Sequence, residues 1–311
     1  MANDILGPDY AHETLHLQGG DFATLVSLPA PVDVAPKGAM LYLHGFVDYF
    51  FQDHVARHFA AQGWAWYAID LRRYGRSLRP KQEPWYTDDL TDYYEEIDLA
   101  IERIRAVGHD RIVLMGHSTG GLTSAIWAHD RRESHPIDAL ILNSPWLDLQ
   151  ENWFNRTIGT CVLGIVSRFR PLMNVPQDLS GIYPQSIHKS ARGEWDFDVR
   201  WKPLTPQPVK TGFFATVRKE QARLHRGMDV GVPVLMIRSG RSLKLDSWHD
   251  DAHSADIVLD VEQMKQWLPQ LGDDVTDVPL PGAVHDVMLS ARPVRERAMD
   301  EIDAWLDRKL A

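Results

Sequence analysis

The chain has 311 residues, of which 43 are acidic and 33 are basic, so its formal net charge is −10 at pH 7. The chain is acidic overall, and it has no block of Lys and Arg long enough to follow a phosphate backbone. We therefore do not expect nucleic acid as a partner. The length allows one large α/β domain with an insertion, and the single cysteine, Cys161, excludes an intrachain disulfide and a cysteine-rich zinc site.

Targeting and membrane signals are missing from the sequence pattern. Residues 1–9 have neither the basic nor the apolar stretch of a secretory signal, and no apolar segment reaches membrane-spanning length. We therefore expect a cytoplasmic protein with no integral membrane segment, no metal and no cofactor. The oligomeric state stays open.

Strand-like runs alternate with helical patterns along most of the chain. Short apolar runs predict strands at Ala23–Leu28, Ala39–Leu43, Trp64–Ile69, Ile112–Met115, Ala139–Leu142, Val232–Ile237 and Val275–Leu280, with an eighth, weaker run at Thr14–Leu17. Apolar residues at i, i+3 and i+4 predict helices over Asp88–Val107 and Ser290–Leu310. This order predicts an α/β fold whose mainly parallel, eight-stranded sheet is flanked by helices.

The alternation stops between Trp146 and Lys210. Apolar residues from Phe154 to Phe169 follow helical spacing, and six prolines then interrupt the pattern. We therefore predict a mainly helical cap, residues 146–210, inserted into a core formed by residues 1–145 and 211–311. The apolar run Ile158–Val166 is too short to span a membrane, and we expect it to pack within the cap.

Aromatic residues are concentrated in the predicted cap. They fit an apolar ligand pocket, and they fit equally well a hydrophobic core of the cap itself. They are Trp146, Trp153, Phe154, Phe169, Trp195, Phe197 and Trp201.

A Gly-x-Ser-x-Gly motif, Gly116–Gly120, follows the predicted strand Ile112–Met115 and precedes a helical pattern. A serine between glycines at this spacing is typical of a strained turn from strand to helix that presents its hydroxyl outward. The order strand, motif, helix therefore predicts a nucleophile elbow with Ser118 as the nucleophile.

An activated serine needs a base and an acid that orients the base. His285 is the candidate base, because it follows the last predicted strand and precedes the last helix. Several aspartates compete for the role of the acid. We favour Asp256, which lies just ahead of a helical pattern, over Asp246 and Asp148.

Two backbone N–H groups are expected to form an oxyanion hole. Thr119, directly after the serine, supplies one from the start of the helix. Phe46 supplies the other from the sequence His44-Gly45-Phe46 that ends the strand Ala39–Leu43.

These motifs resemble those of an α/β-hydrolase, and the chain is similar to the branch that includes monoacylglycerol lipases, lysophospholipases and serine aminopeptidases. The resemblance rests on five segments: 44–46, 70–77, 116–121, 254–258 and 282–285. It implies Ser118 as nucleophile, His285 as base, Asp256 as acid, and Phe46 and Thr119 as oxyanion donors. The chain departs from the family pattern at Tyr74, where glycine is usual, and in an apparent insertion, Ser239–His253.

The resemblance and the candidate site predict a serine hydrolase that cleaves carboxylic esters, such as monoacylglycerols or lysophospholipids, through an acyl-enzyme on Ser118. Its partner is then a small acyl ester. An amidase, an aminopeptidase or an acyltransferase would use the same residues. The alternative from another class is a catalytically silent module that binds an apolar ligand under the cap.

Overall fold

The computed structural model describes residues 2–149, 160–175 and 181–311. Within these ranges nine strands form one sheet in the order β1-β2-β3-β5-β4-β6-β7-β8-β9. The strands are β1 Ala2–Asp4, β2 Gly7–His16, β3 Phe22–Leu28, β4 Gly38–Leu43, β5 Trp64–Asp70, β6 Ile112–His117, β7 Ala139–Asn143, β8 Val234–Ser239 and β9 Val275–Leu280.

The sheet is antiparallel at one edge and parallel elsewhere. Strands β1, β2 and β3 pair antiparallel with one another, and β3 pairs antiparallel with β5. The remaining pairs, from β5 through β4 and β6 to β9, are all parallel. Parallel strands end at the same edge of a sheet, so the carboxyl ends of β4, β6, β7, β8 and β9 lie side by side.

The predicted fold class, an α/β-hydrolase fold with a mainly parallel sheet, is confirmed. Eight strands correspond to the eight predicted runs, and the ninth is the edge strand β1. This strand was missed because three residues, Ala2–Asp4, are too few to show an alternating pattern. The strand β2 is also longer than the run Thr14–Leu17 indicates.

Helices cover both faces of the sheet. The α-helices that the structure describes are α1 Asp53–Ala61, α2 Tyr94–Ala106, α3 Thr119–Arg131, α4 Thr160–Phe169, α5 Ile182–Ile187, α6 Thr211–Leu224, α7 Val261–Trp267 and α8 Arg292–Lys309. Apolar side chains of α2, α3, α6 and α7 share one buried cluster with the sheet, and those of α1 and α8 share a second cluster on the opposite face. The sheet is thus buried on both sides, as parallel sheets require.

The connection from β7 to β8 contains α4, α5 and α6, and α4 packs against α6. Phe197 is buried, whereas Trp195 and Trp201 are partly buried against it and its neighbours. Trp153, Phe154 and Ile158, which contribute to the predicted pattern, lie outside the described residues.

Helix α4 is less buried than its sequence indicates. Ile165 is 61% exposed and Phe169 is 82% exposed. Within the run Ile158–Val166, Ile165 is thus exposed and Val166 is partly buried, because spacing alone does not say which helix face finds a partner. The packing of the whole run within the cap stays a prediction. In the described ranges no helix is long and apolar enough to cross a membrane.

Candidate active site

Ser118 lies on the turn between β6 and α3, with φ 53° and ψ −116°. A non-glycine residue rarely adopts such a conformation, and it persists only where its surroundings hold it. The flanking glycines allow the close packing around this turn. A Cβ on Gly116 would lie 2.6 Å from the Gly120 carbonyl oxygen, and one on Gly121 would lie 2.8 Å from the Pro145 Cβ.

Gly120→Ala is expected to lower the free energy of unfolding by about 3 kcal/mol, because the new methyl group would overlap backbone atoms. Those atoms are the carbonyl oxygens of Leu43 and His44, which cannot move aside as a flexible side chain does. Urea denaturation followed by circular dichroism measures the change. The control is Gly164→Ala, at a helical glycine with no neighbour within 4 Å, which should raise stability by about 0.5–1 kcal/mol. Equal effects of the two substitutions would contradict the packing explanation.

Ser118, His285 and Asp256 form one chain of hydrogen bonds. His285 Nε2 lies 3.1 Å from Ser118 Oγ, and His285 Nδ1 lies 2.9 Å from Asp256 Oδ2. All three residues are buried. The other carboxylate oxygen, Asp256 Oδ1, accepts hydrogen bonds from the backbone N–H groups of Val258 and Leu259, both at 2.8 Å. The carboxylate is thereby fixed in position and turned toward the imidazole.

Asp256 reaches this position because the chain leaves the sheet edge after β8 and returns to it. The Asp256 N–H donates to the Arg241 carbonyl, and the Leu243 N–H donates to the Asp256 carbonyl. These two bonds close the neck of a loop, residues 243–255, which we call the excursion. The apparent insertion Ser239–His253 overlaps this loop, whose closed neck leaves Asp256 beside the end of β8.

The two alternative acids lie elsewhere. Asp246 is exposed on the excursion. Asp148 is buried, but its carboxylate accepts hydrogen bonds from Arg218 at 3.1 Å and from the Trp267 indole at 3.1 Å. Burial alone would raise the pKa of Asp148, but these donors and a backbone N–H hold that pKa below its usual range. The structure therefore brings Asp256 to His285 and neither of the other two.

The two expected oxyanion donors flank the serine. Thr119 is the first residue of α3, and Phe46 follows Gly45, on which a Cβ would lie 3.1 Å from the Ser118 Cβ. In the described part of the chain, neither backbone N–H donates to a protein acceptor. Two donors at a helix start and an adjacent loop are suited to an oxygen that develops negative charge.

A buried polar network holds the loop that carries His285. Asp286 accepts from the Asn143 amide at 2.7 Å and from the Gln52 amide at 3.0 Å. The Asn143 side chain also accepts from the Val287 N–H at 3.1 Å. Sequence reasoning missed this network; its only sequence signal is that Asn143 ends an apolar strand run, at the sheet edge where functional side chains collect.

His117 and Tyr183 enclose His285. The ring of His117 lies 4.9 Å from that of His285, and the ring of Tyr183 lies 5.5 Å from it at 81°. Burial lowers the pKa of His117, although the nearby Asp286 carboxylate opposes this shift. A neutral His117 imposes no second positive charge beside an imidazolium at His285. The Tyr183 hydroxyl also accepts from the Asp286 N–H at 3.0 Å, so α5 contacts the histidine loop.

The sheet order, the strained serine turn and the hydrogen-bonded side chains define the class of the protein as an α/β-hydrolase. The family model for serine aminopeptidase, S33, matches residues 34–242. The chain belongs to this family.

Curated relatives and solved structures also resemble the chain, the solved structures in their fold. A monoacylglycerol lipase of Mycolicibacterium smegmatis is 26% identical over 159 residues, which are 50% of this chain and 55% of that enzyme. The chain spans about half or less of the curated relatives it matches. A monoglyceride lipase from Saccharomyces cerevisiae, solved with a substrate analogue, has a TM-score of 0.71 at 17% identity, covering 96% of this chain and 94% of the other. A carboxyl esterase from Bacillus coagulans has a TM-score of 0.70 at 15% identity, covering 98% and 100%.

Proposed function

We propose that the protein is a serine hydrolase that cleaves carboxylic esters of small acyl substrates. The observation that carries this proposal is the unbroken chain of hydrogen bonds from Ser118 Oγ through His285 to Asp256. Serine hydroxyls are weak nucleophiles, and an aligned base and acid are what activates them. The likeness to a monoacylglycerol lipase supports an acylglycerol or similar ester as the substrate.

Acylation begins when Ser118 Oγ attacks the ester carbonyl carbon while His285 Nε2 takes the hydroxyl proton. Asp256 accepts a hydrogen bond from Nδ1, which keeps the imidazole in the tautomer that can receive this proton and stabilises the imidazolium that forms. The carbonyl oxygen becomes negatively charged and accepts hydrogen bonds from the Phe46 and Thr119 N–H groups. The tetrahedral intermediate then collapses, and His285 returns the proton to the departing alcohol.

Deacylation repeats these steps with water as the nucleophile. His285 takes a proton from the water as it attacks the acyl carbon, and the acid is released when Ser118 Oγ leaves with the proton from His285. Over the two half-reactions Ser118 gives one proton to the departing alcohol and regains one from water, so the Ser118–His285 pair ends in its starting state.

We infer that residues 146–210 act as a cap over the serine. The contact of Tyr183 with the His285 loop and the aromatic cluster around Phe197 support this role. An enclosing cap excludes water and favours apolar acyl groups. A cap that covers Ser118 is also consistent with its low exposure of 9%.

A fluorophosphonate probe and a substrate panel test the proposal. The native protein should be labelled at one serine, with a heat-denatured sample as the control, and should hydrolyse p-nitrophenyl esters of short and long acyl chains and monoacylglycerols. Peptide mapping of the adduct should identify Ser118. No labelling of the folded protein would overturn the serine-hydrolase proposal and favour a module that only binds an apolar ligand.

The same panel separates the reactions that share an acyl-enzyme. It includes aminoacyl amides and competing alcohol acceptors. Faster turnover of an amide than of every ester would overturn the proposal of ester hydrolysis in favour of amide hydrolysis. New esters formed from the added alcohols would indicate acyl transfer.

A further inference from the structure

The loop that carries the Phe46 donor contains a strained residue. Val47, the next residue, has a φ of 50°. A β-branched side chain is strongly disfavoured in this left-handed region, because its methyl groups crowd the backbone. Val47 keeps this conformation only if contacts on both sides hold it there.

On the upstream side, the contacts come from the core of the sheet. The ring of His44, at the end of β4, accepts a hydrogen bond from the Leu71 N–H at 3.1 Å. Gly45 packs directly against Ser118. The start of the loop is therefore fixed to the ends of β5 and β6, the two strands that flank β4.

On the downstream side, a buried ion pair holds the residue after Val47. Asp48 Oδ1 lies 2.7 Å from Lys202 Nζ, and the two side chains are only 2% and 9% exposed. Lys202 belongs to the cap, 154 positions further along the chain. Its ammonium group lies 5.8 Å from the ring centroids of both Phe51 and Phe197.

The surroundings of the pair favour a charged Asp48. Burial alone would raise the pKa of Asp48, but the Lys202 ammonium, together with the nearby His117 and His44, holds that pKa below its usual range. The second oxygen, Asp48 Oδ2, has no hydrogen-bond partner in the described residues. A buried carboxylate held by one cation is strongly attached to it.

A second tie joins the same two segments. The Asp198 N–H donates to the Tyr49 hydroxyl at 2.7 Å, and the Tyr49 ring meets the Trp201 ring at 5.1 Å. The cap stretch 198–202 is thus fastened to residues 48 and 49, immediately after the strained Val47.

We propose that Lys202, acting through Asp48, is a positioning residue that holds Val47 in its strained conformation and so keeps the Phe46 N–H in place for the oxyanion. Lys202 does not touch the reacting atoms. The cap then contributes to transition-state stabilisation as well as to enclosure of the substrate. This inference rests on the proposed function, since it needs an oxyanion at Ser118.

Lys202→Met tests the proposal, because it keeps the length of the side chain and removes the charge. We expect kcat for a p-nitrophenyl ester to fall by about tenfold or more, a part of the loss seen when an oxyanion donor is deleted, with KM changed by less than about threefold. The matched control is Lys189→Met, which breaks an exposed ion pair with Asp196 in the same cap and should leave kcat within about twofold.

A double variant covers the case in which Lys202→Met does not fold. Asp48→Asn combined with Lys202→Met leaves no unpaired buried charge, so it should fold. It should still lose kcat, because the ionic tie is gone. Wild-type kcat in this folded variant would overturn the proposal.

Val47→Gly distinguishes a role of Lys202 in positioning the Phe46 N–H from a role in fastening the cap alone. Glycine adopts a φ of 50° without a steric penalty, so Val47→Gly should restore most of the kcat that Lys202→Met loses. A tie that only fastens the cap would show no such rescue. Thus the absence of rescue would also overturn the proposal.

The rate of fluorophosphonate labelling separates this proposal from the proposed function. Phosphonylation of Ser118 also builds negative charge on an oxygen in the hole, so Lys202→Met should slow it even if no tested ester is a substrate. A labelled wild type without esterase activity would refute ester hydrolysis alone. Equal labelling rates in the wild type and Lys202→Met would refute the role of Lys202 alone, and an unlabelled wild type would refute both.

Discussion

Ser118→Ala is expected to lower kcat for ester hydrolysis by about 10⁵- to 10⁶-fold, because removing the nucleophile of a serine triad leaves only binding and the oxyanion donors. The variant should fold, since alanine keeps the Cβ and the turn is held by hydrogen bonds of the backbone. Among these, the Ser118 N–H donates to the Asn143 carbonyl at 3.0 Å. Steady-state hydrolysis and fluorophosphonate labelling measure the loss.

The control for this substitution is Ser124→Ala in the same helix, α3. Ser124 is buried, and its hydroxyl has no hydrogen-bond partner in the described residues, so its removal should leave kcat within about twofold. If Ser118→Ala kept more than about 1% of the wild-type kcat, the nucleophile would have to be another group.

Asp256→Asn should lower kcat by about 10⁴-fold while KM changes little. The asparagine oxygen would still accept from Val258 and Leu259, so its amide NH₂ would face His285 Nδ1. Nδ1 must then accept a hydrogen bond, which places the ring proton on Nε2, and Nε2 cannot take the proton of Ser118. The wrong tautomer, and not a misplaced ring, causes the loss.

Asp246→Asn is the matched control, because Asp246 is an exposed aspartate on the excursion. Its kcat should equal that of the wild type. The reverse outcome, with activity lost in Asp246→Asn and kept in Asp256→Asn, would show that the excursion rearranges during catalysis and that Asp246 is the acid.

Local sequence signals singled out Ser118 and His285, which the structure places within hydrogen-bond distance of each other. Ser118 is marked by flanking glycines whose missing side chains make room for close backbone packing. His285 is marked by its place between the last strand and the last helix. The central strands β4, β6 and β7 were predicted because they are short, almost continuous apolar runs, as expected where both faces of a sheet are buried.

Features that depend on distant parts of the chain were beyond sequence reasoning. The choice among Asp256, Asp246 and Asp148 depends on where a loop returns to the sheet, which spacing does not show. The Asp48–Lys202 pair joins residues 154 positions apart, and neither residue has a local pattern that indicates its partner. The exposure of Phe169 likewise depends on which tertiary contacts α4 makes.

The closed neck of the excursion has an evolutionary consequence. Because the backbone of Asp256 is hydrogen-bonded to residues 241 and 243, the position of Asp256 depends little on how many residues the excursion contains. The entropy of closing a loop grows slowly, by about 0.6 kcal/mol for each doubling of its length. Insertions and deletions at the exposed tip are therefore nearly neutral for the acid, and this part of the chain is free to acquire new recognition elements while the chemistry stays unchanged.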